Sequence, residues 1–537
     1  VGLGTAASGV GTRSGGPCAG APAGGMTVIP GALTLTTGDV APVTALLYDA
    51  GGNPTSGTGL VWSSGAPGVA TVDSAGRVTA VGNGVAAITA MAIGVAPVSA
   101  GVTVEDRHTW HVDATTAALN SVHLGSPTYP FPHIQSALDR APAGDTVFVR
   151  WAPTTYGAAV ISKAVTVIGD SGPAALPRLR NATGAAITTN APGLVTLRHL
   201  AIEESNVALD ARGDSLVVQT VSATSLRDIG VKIRAMQYAS LNDISVNSAV
   251  LAGILADSTA DVRIDGANIR VIANRNDSAA AVAVLHASNL LLSNLDVLGV
   301  ENGSAAIVAN VTRGTLDQFV VQSAGGVQTD SVRAMGVSFG RILGARGSGD
   351  RPLSIHADTA SVDSVIVNGG DQGVEISPMA RDTLTYAASV ATITRSTVLD
   401  VSAGSGLLVD RFGTVDLTRM HVANVQSGNG IDVRRSGDVQ IDSAAVSGVA
   451  SGIGVQVLVT PGMPSSLTMR GGKIRGHEGG LAVNYPRTVS LSGVEIDSSA
   501  FAPQFCFPCT PKFALQIWSP DSVQLDSLNI HDNSGAG

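Results

Sequence analysis

The sequence predicts an all-β chain, an N-terminal β-sandwich followed by a parallel β-helix (solenoid) with a short N-terminal capping helix. Three observations predict it. Apolar-x-apolar starts recur at Ile187, Val207, Val231, Ile254, Val282, Ile307, Val327, Leu353, Val374, Leu407, Ile431, Ile453, Leu481 and Leu515. Their intervals run from 20 to 34 residues and average about 25, the length of one solenoid coil. Each unit then carries further alternating runs, as in Val262-Arg263-Ile264 with Ile269, Val439-Gln440-Ile441 with Val446, and Val523-Gln524-Leu525 with Leu528 and Ile530. Alternation of period two reads as strand, and the Gly, Asn, Asp and Ser between the runs read as turns. The composition agrees: 14% charged and 44% hydrophobic residues, 64 glycines and few aromatics suit short β-branched strands rather than long helices.

Taken in order, residues 1–26 are rich in Gly, Ala and Ser and read as an arm or linker. Residues 27–104 show short alternating runs broken about every ten positions, a small all-β domain. Residues 105–128 read as a linker, and the solenoid occupies 129–537. It opens with Ile134, Ala137, Leu138 and Ala141 at helical spacing, followed by the turn Ala143-Gly144-Asp145 and the strand Thr146-Val147-Phe148-Val149. About 15 coils at about 4.8 Å each give a rod of roughly 70 Å.

Two resemblances follow from these residues. Leu33-Thr34-Leu35 with Gly38, Asp49-Ala50-Gly51-Gly52-Asn53-Pro54, Val61-Trp62-Ser63-Ser64, Val69-Ala70-Thr71-Val72-Asp73 with Gly76, and Val78-Thr79-Ala80-Val81-Gly82-Asn83-Gly84 resemble the bacterial Ig-like group 2 (BIG2) domain. That resemblance implies an Ig-like β-sandwich serving as a spacer or adhesive module, without catalytic residues and with Trp62 buried in its core. The helix and first strands, with Ile161 to Gly169, resemble the opening of the pectin lyase-like superfamily, which implies a right-handed parallel β-helix over 129–537. That fold carries lyases, hydrolases, tailspikes, adhesins and structural proteins, so it does not select a function.

A polygalacturonase-like site in that superfamily takes paired aspartates, Gly-His-Gly and Arg-Ile-Lys, since two carboxylates must flank the glycosidic bond. Here there is no Asp-Asp, Gly476-His477-Glu478 replaces Gly-His-Gly, and Lys473-Ile474-Arg475 precedes it in the wrong order. Asp265, Asp442 and Asp526 stand at turn positions, where aspartate bonds its own turn. Three residues after each start, the column Asp210, Arg234, Asp257, Asn310, His356, Ser377, Asp410 and Arg434 mixes signs and reads as a solvated ladder. Glu203-Glu204 reads as an exposed pair. No catalytic, cofactor-binding or metal site is assigned, and no cofactor is expected.

Cys506 and Cys509 lie in Phe505-Cys506-Phe507-Pro508-Cys509, and Cys18 stands alone in the arm. With no second Cys pair or His cluster, the three are disulfide candidates in an oxidising exterior, the odd one suggesting an intermolecular bond. A net charge of −9 with scattered basic residues excludes nucleic acid as the expected partner, and no apolar run is long enough for a membrane span.

The chain starts with Val1 and lacks a basic-then-apolar leader, which reads as a mature or excised product. Its tail, Ser534-Gly535-Ala536-Gly537, joined to Val1-Gly2-Leu3, reproduces the turn-then-strand template of Ser427 to Val433. An uncapped solenoid end is a template for another strand, and a head-to-tail contact of that kind propagates. The expectation is a secreted, extracellular or cell-surface structural subunit, polymerising with copies of itself. Its interface comprises Val1, Gly2, Leu3, Leu515, Ile517, Ile530, Ser534, Gly535 and Gly537. The alternatives are a polysaccharide-binding or polysaccharide-degrading surface protein and an excised part of a larger adhesin.

Overall fold

In the computed structural model the described residues are 23–49, 51–55, 59–105, 108–118, 124–170, 175–273, 279–301, 303–322, 325–345, 351–379, 388–459, 465–475, 479–497, 513–518 and 520–531. They fall into two compact units, one through residue 132 apart from 112–115, the other from 133 together with 112–115. The described residues are nearly all β. They hold one α-helix, Ile134–Arg140, and a short 3-10 turn at Ala114–Ala118.

The first unit has three small sheets. Strand Ala23–Ile29 runs antiparallel to Thr44–Asp49, which also pairs with Pro54–Thr55. Val98–Val104 lies between Gly84–Met91 and Ala32–Leu35, and Arg77–Ala80 between Val40–Pro42 and Ala70–Val72. Alternate residues of these strands, including Leu35, Val78, Ile88, Val102 and Val104, form one shared apolar core. The turns are closed by aspartates: Asp49 Oδ1 accepts the N–H of Gly51 at 2.8 Å and Asn53 at 2.9 Å, and Asp73 Oδ1 accepts those of Ala75 and Arg77. Trp62 is not buried as expected. It is half-buried at the edge of that core, over Gly76, where φ is +78° and an added Cβ would lie 3.1 Å from the indole. The segment expected as a linker contains the strand Thr109–Val112, whose Trp110 stacks on Phe131 with ring centroids 6.4 Å apart.

The second unit is a parallel β-solenoid. Its first inward column runs Ala159, Ile187, Leu209, Val231, Ile254, Val282, Ala306, Val327, Leu353, Val374, Leu407, Ile431, Val455, Leu481 and Leu515, each hydrogen-bonded in register to the next rung. Eleven of the fourteen predicted starts stand in it. Val207 and Ile453 open their strands two residues early, and Ile307 falls one residue after Ala306, on the outward side. A slip of one residue exchanges the two faces of a strand, so the small inward side chain of Ala306 had concealed the true register.

A second column passes through Leu241, Ile264, Leu292 and Leu316, and a third through Val246, Ile269, Val297 and Val321. Between these two columns a single residue turns the chain in the left-handed region on rung after rung: Asp243 at φ 54°, Asn294 at 53°, Arg395 at 48° and Ser527 at 54°. A non-glycine residue there costs on the order of 1 kcal/mol, which the rung's ladder bonds and buried side chains offset. A small residue precedes the first column on most rungs. At Gly430 a Cβ would overlap Val446 Cγ1 and lie 2.5 Å from the carbonyl oxygen of Gly454 on the next rung, so only glycine fits. As expected, Ile134, Ala137, Leu138 and Ala141 are buried, and the helix packs on the strands Thr146–Val149 and Ala159–Ile161.

Candidate functional site

The strands of the first column present their outward residues on one face of the solenoid, and on five consecutive rungs these surround a cavity of about 350 Å³. The strand Leu353–Asp363 supplies His356, Val374–Ser377 supplies Glu375 and Ser377, Leu407–Asp410 supplies Asp410, and Ile431–Ser436 supplies Arg434 and Arg435. Asp330, Ser331, Arg351 and Arg411 complete the charged wall.

Two irregularities of the ladder open this cleft. Between the pairs Thr329↔Ile355 and Val332↔Ala357 the two residues Asp330 and Ser331 oppose the single His356, whose N–H donates to Thr329 Oγ1 at 3.0 Å. At the other end Arg435 is the extra residue between Arg434↔Leu458 and Ser436↔Val459. Bulges re-aim side chains, and these two bracket the cleft. Ser331, Arg411 and Arg435 also hold the left-handed corner of their rungs, with φ of 54°, 64° and 49°.

The charges are held by one another. Arg351 Nη1 reaches Glu375 at 2.9 Å, and Arg435 grips Asp410 with both Nε, at 2.8 Å, and Nη2. His356 Nδ1 lies 3.8 Å from Asp330. Behind the wall, Asp432 is fully buried and takes Nε and Nη2 of its strand neighbour Arg434 at 2.9 and 2.5 Å, with Asn429 Nδ2 at 2.9 Å and Ser405 Oγ at 3.3 Å on the same oxygen. Those bonds to Asp432 raise the Arg434 pKa above its usual value, with Asp410 and Glu375 adding to the effect, so the guanidinium stays charged. A guanidinium fixed through two nitrogens on a buried carboxylate is preorganised for a further anion or hydroxyl. The cleft therefore combines rigid cation donors, carboxylate acceptors for sugar-type hydroxyls, and the imidazole of His356.

Of the eight residues expected in a solvated ladder, His356, Ser377, Asp410 and Arg434 line this cavity, which corrects that reading for half of them. Asp210 belongs one column away, in register with Lys232, and is held by Arg234 at 2.7 Å through both oxygens. Asn310 stands one residue beyond the column, which passes through Ala309, while Asp257 bonds His286 at 2.9 Å. The sequence pattern does not single out Glu375, Asp330, Arg351, Arg411, Asp432 or Arg435. The adjacent pairs Asp410-Arg411 and Arg434-Arg435, one rung apart, were the available signal.

Other expected positions are resolved as follows. Glu203 and Glu204 are paired, with Arg178 at 3.4 Å and Arg180 at 2.6 Å. Asp442 and Asp526 accept from the neighbouring Ser443 and Ser527, but Asp265 bonds Ser293 and Asn294. Lys473-Ile474-Arg475 is a strand with Ile474 buried and both cations on Glu495. Glu495, Asp497 and His531 have ligand atoms within 4.8 Å of one another, a group absent from the linear sequence, and Lys473 and Arg475 already neutralise its carboxylates. Leu515, Ile517 and Ile530 pair with Leu481, Val483 and Ile496. Val1, Gly2, Leu3, Cys18, Gly476, His477, Glu478, Cys506, Cys509, Ser534, Gly535 and Gly537 lie outside the described residues. Among the described residues no helix is long and apolar enough to cross a membrane.

No family model and no curated protein matches the chain. Among solved structures it is similar to a GH136 lacto-N-biosidase from Eubacterium ramulus, at 8% identity over 78% of this chain and 68% of that one, with a TM-score of 0.25. It is similar also to the A-module of the Azotobacter vinelandii mannuronan C-5 epimerase AlgE4, at 11% identity over 75% and 95% of the two chains, TM-score 0.17. A family 28 exopolygalacturonase from Yersinia enterocolitica gives 10% identity over 85% of each chain, TM-score 0.15. At these scores the likeness does not define a shared activity.

Proposed function

We propose that this chain is a polysaccharide-binding protein of the cell surface or extracellular space, which holds an acidic sugar polymer in the cleft between His356 and Arg435. The observation that carries this reading is the clustering of Arg351, Arg411, Arg434 and Arg435 around one cavity on a rigid parallel sheet. Arginine forks match carboxylate and sulfate groups, and the interleaved Glu375 and Asp410 suit hydroxyl groups of the same ligand. The N-terminal unit, Ig-like by its sequence, then acts as spacer or adhesive module. The test is retention on immobilised polygalacturonate and alginate against a neutral glucan. The native chain should bind the acidic polymers and release them with salt, and Arg435→Ala should weaken binding by about tenfold, the loss of one charge-assisted contact. No retention on any acidic polymer would overturn the reading.

A second reading, self-assembly into an extracellular filament through the N-terminal arm, is favoured by one observation. On the rung Ser522–Asp526, Val523 and Leu525 are 43% and 49% exposed, although they continue the buried columns of Val489 and Leu491. A further rung laid on them, from this chain or from another copy, would bury both. Negative-stain microscopy and non-reducing electrophoresis of the chain with and without residues 1–18 decide it. Polymers that vanish with the arm support assembly, and monomers in both samples remove it.

A further inference from the structure

The outward column that carries Asp410 and Arg434 does not stop at the cleft. In register it continues through Leu458 and Asn484 to Trp518. The residue after Asn484 is Tyr485, at the same left-handed corner that Arg411 and Arg435 occupy on their rungs, with φ of 63°. Tyr485 and Trp518 are 47% and 53% exposed, and the N–H of Tyr485 donates to the carbonyl of Trp518 at 3.0 Å, which fixes the two backbones together. A bulky aromatic at positive φ is a costly conformation, and here it holds a large ring in water where a small residue would turn the corner more easily. Two exposed aromatic rings beside the amide of Asn484, in line with a cluster of guanidinium groups, form a surface apolar on its ring faces and polar between them. That combination suits a pyranose, which presents C–H groups on one face and hydroxyls at its rim.

Resting on the polysaccharide-binding reading above, we infer that Tyr485 and Trp518 form a second, stacking subsite for the same sugar chain, which runs along the solenoid axis from the arginine cleft. From Asp410 to Trp518 the column advances four rungs, on the order of 19 Å. An extended sugar chain advances by nearly one rung spacing per residue, so an oligomer of about five or six units spans both subsites and a trimer fills only one. The length of the ligand is thus measured by the separation between charge and ring.

The experiment is calorimetric titration of the full chain with uronic-acid oligomers from the dimer to the octamer. For the native chain, affinity should rise by about tenfold between trimer and hexamer, the range expected when one stacking contact is added. Tyr485→Ala and Trp518→Ala should each remove most of that gain while leaving the trimer unchanged, and Trp518→Phe, which keeps a ring, should retain it. Arg435→Ala should weaken the trimer and the hexamer alike. If both alanine variants bind the hexamer as the native chain does, or if Trp518→Phe falls as far as Trp518→Ala, the stacking subsite is overturned while binding in the cleft stands. If the native chain binds no oligomer of any length, the cleft reading and the stacking subsite fall together.

Discussion

The two units bury their apolar residues in different ways. In the N-terminal unit the buried side chains of three sheets, Leu35, Val78, Ile88 and Val102 among them, meet in one cluster, so each belongs to the core of the whole unit. In the solenoid a buried residue such as Val433 belongs to a column and pairs with the rung above and the rung below, through Val409 and Val457. The first kind of core should fail as a unit and the second locally, because a solenoid is stabilised by sums of nearest-neighbour terms.

The largest test of that contrast is a pair of truncations. Ile88→Ala and Phe412→Ala each remove a fully buried side chain and should cost about 3 to 5 kcal/mol locally. Hydrogen exchange should then report loss of protection across all three sheets for Ile88→Ala, but only on the rungs flanking residue 412 for Phe412→Ala. Loss of protection along the whole solenoid would break the comparison. A smaller effect sharpens it: Gly430→Ala puts a methyl group against Val446 and the carbonyl of the next rung, and should cost about 1 to 3 kcal/mol. An unchanged melting temperature would show that neighbouring rungs can slide apart.

The smallest effect is electrostatic. Arg395 first, then Thr394, hold the Asp363 carboxyl at about 2, below its ordinary 3.8. The folded state thus binds this proton less readily than the unfolded chain does. The contribution is complete above pH 3.8 and is lost as pH falls from there through about 2. Asp363→Asn should flatten that part of the stability profile, measured by urea melts, lowering stability above pH 3.8 and matching the native chain at the acid end. Because Arg395 is exposed to solvent, the change is small and shrinks further in salt.

Much of the rod was legible in the sequence because its signals are local. Alternation marked the strands, turn residues marked the corners, and helical spacing marked Ile134, Ala137, Leu138 and Ala141, all of which are buried. Where legibility failed, a local signal was ambiguous. Ala306 is inward but small, so the neighbouring Ile307 mimics the start of the rung. The resemblance places Trp62 in the core, yet its ring is half-buried against that core, over Gly76. The cleft was half legible. The sequence shows the column, whose mixed signs read as a solvated ladder and not as the wall of one cavity.

The sequence by itself determined the period of the coil, the alternation of its strands and the small residue that precedes the first column on most rungs. These are properties of ten or twenty consecutive residues. Only the tertiary structure decided that Asp330, His356, Glu375, Asp410 and Arg435 share one cavity, and that Trp518 lies in line with Arg434. The physical reason is that rungs differ in length from about 20 to 34 residues while their stacking distance stays near 4.8 Å. Proximity between outward side chains is therefore set by hydrogen-bond register and by bulges such as those at Asp330-Ser331 and Arg435, neither of which is written in sequence spacing.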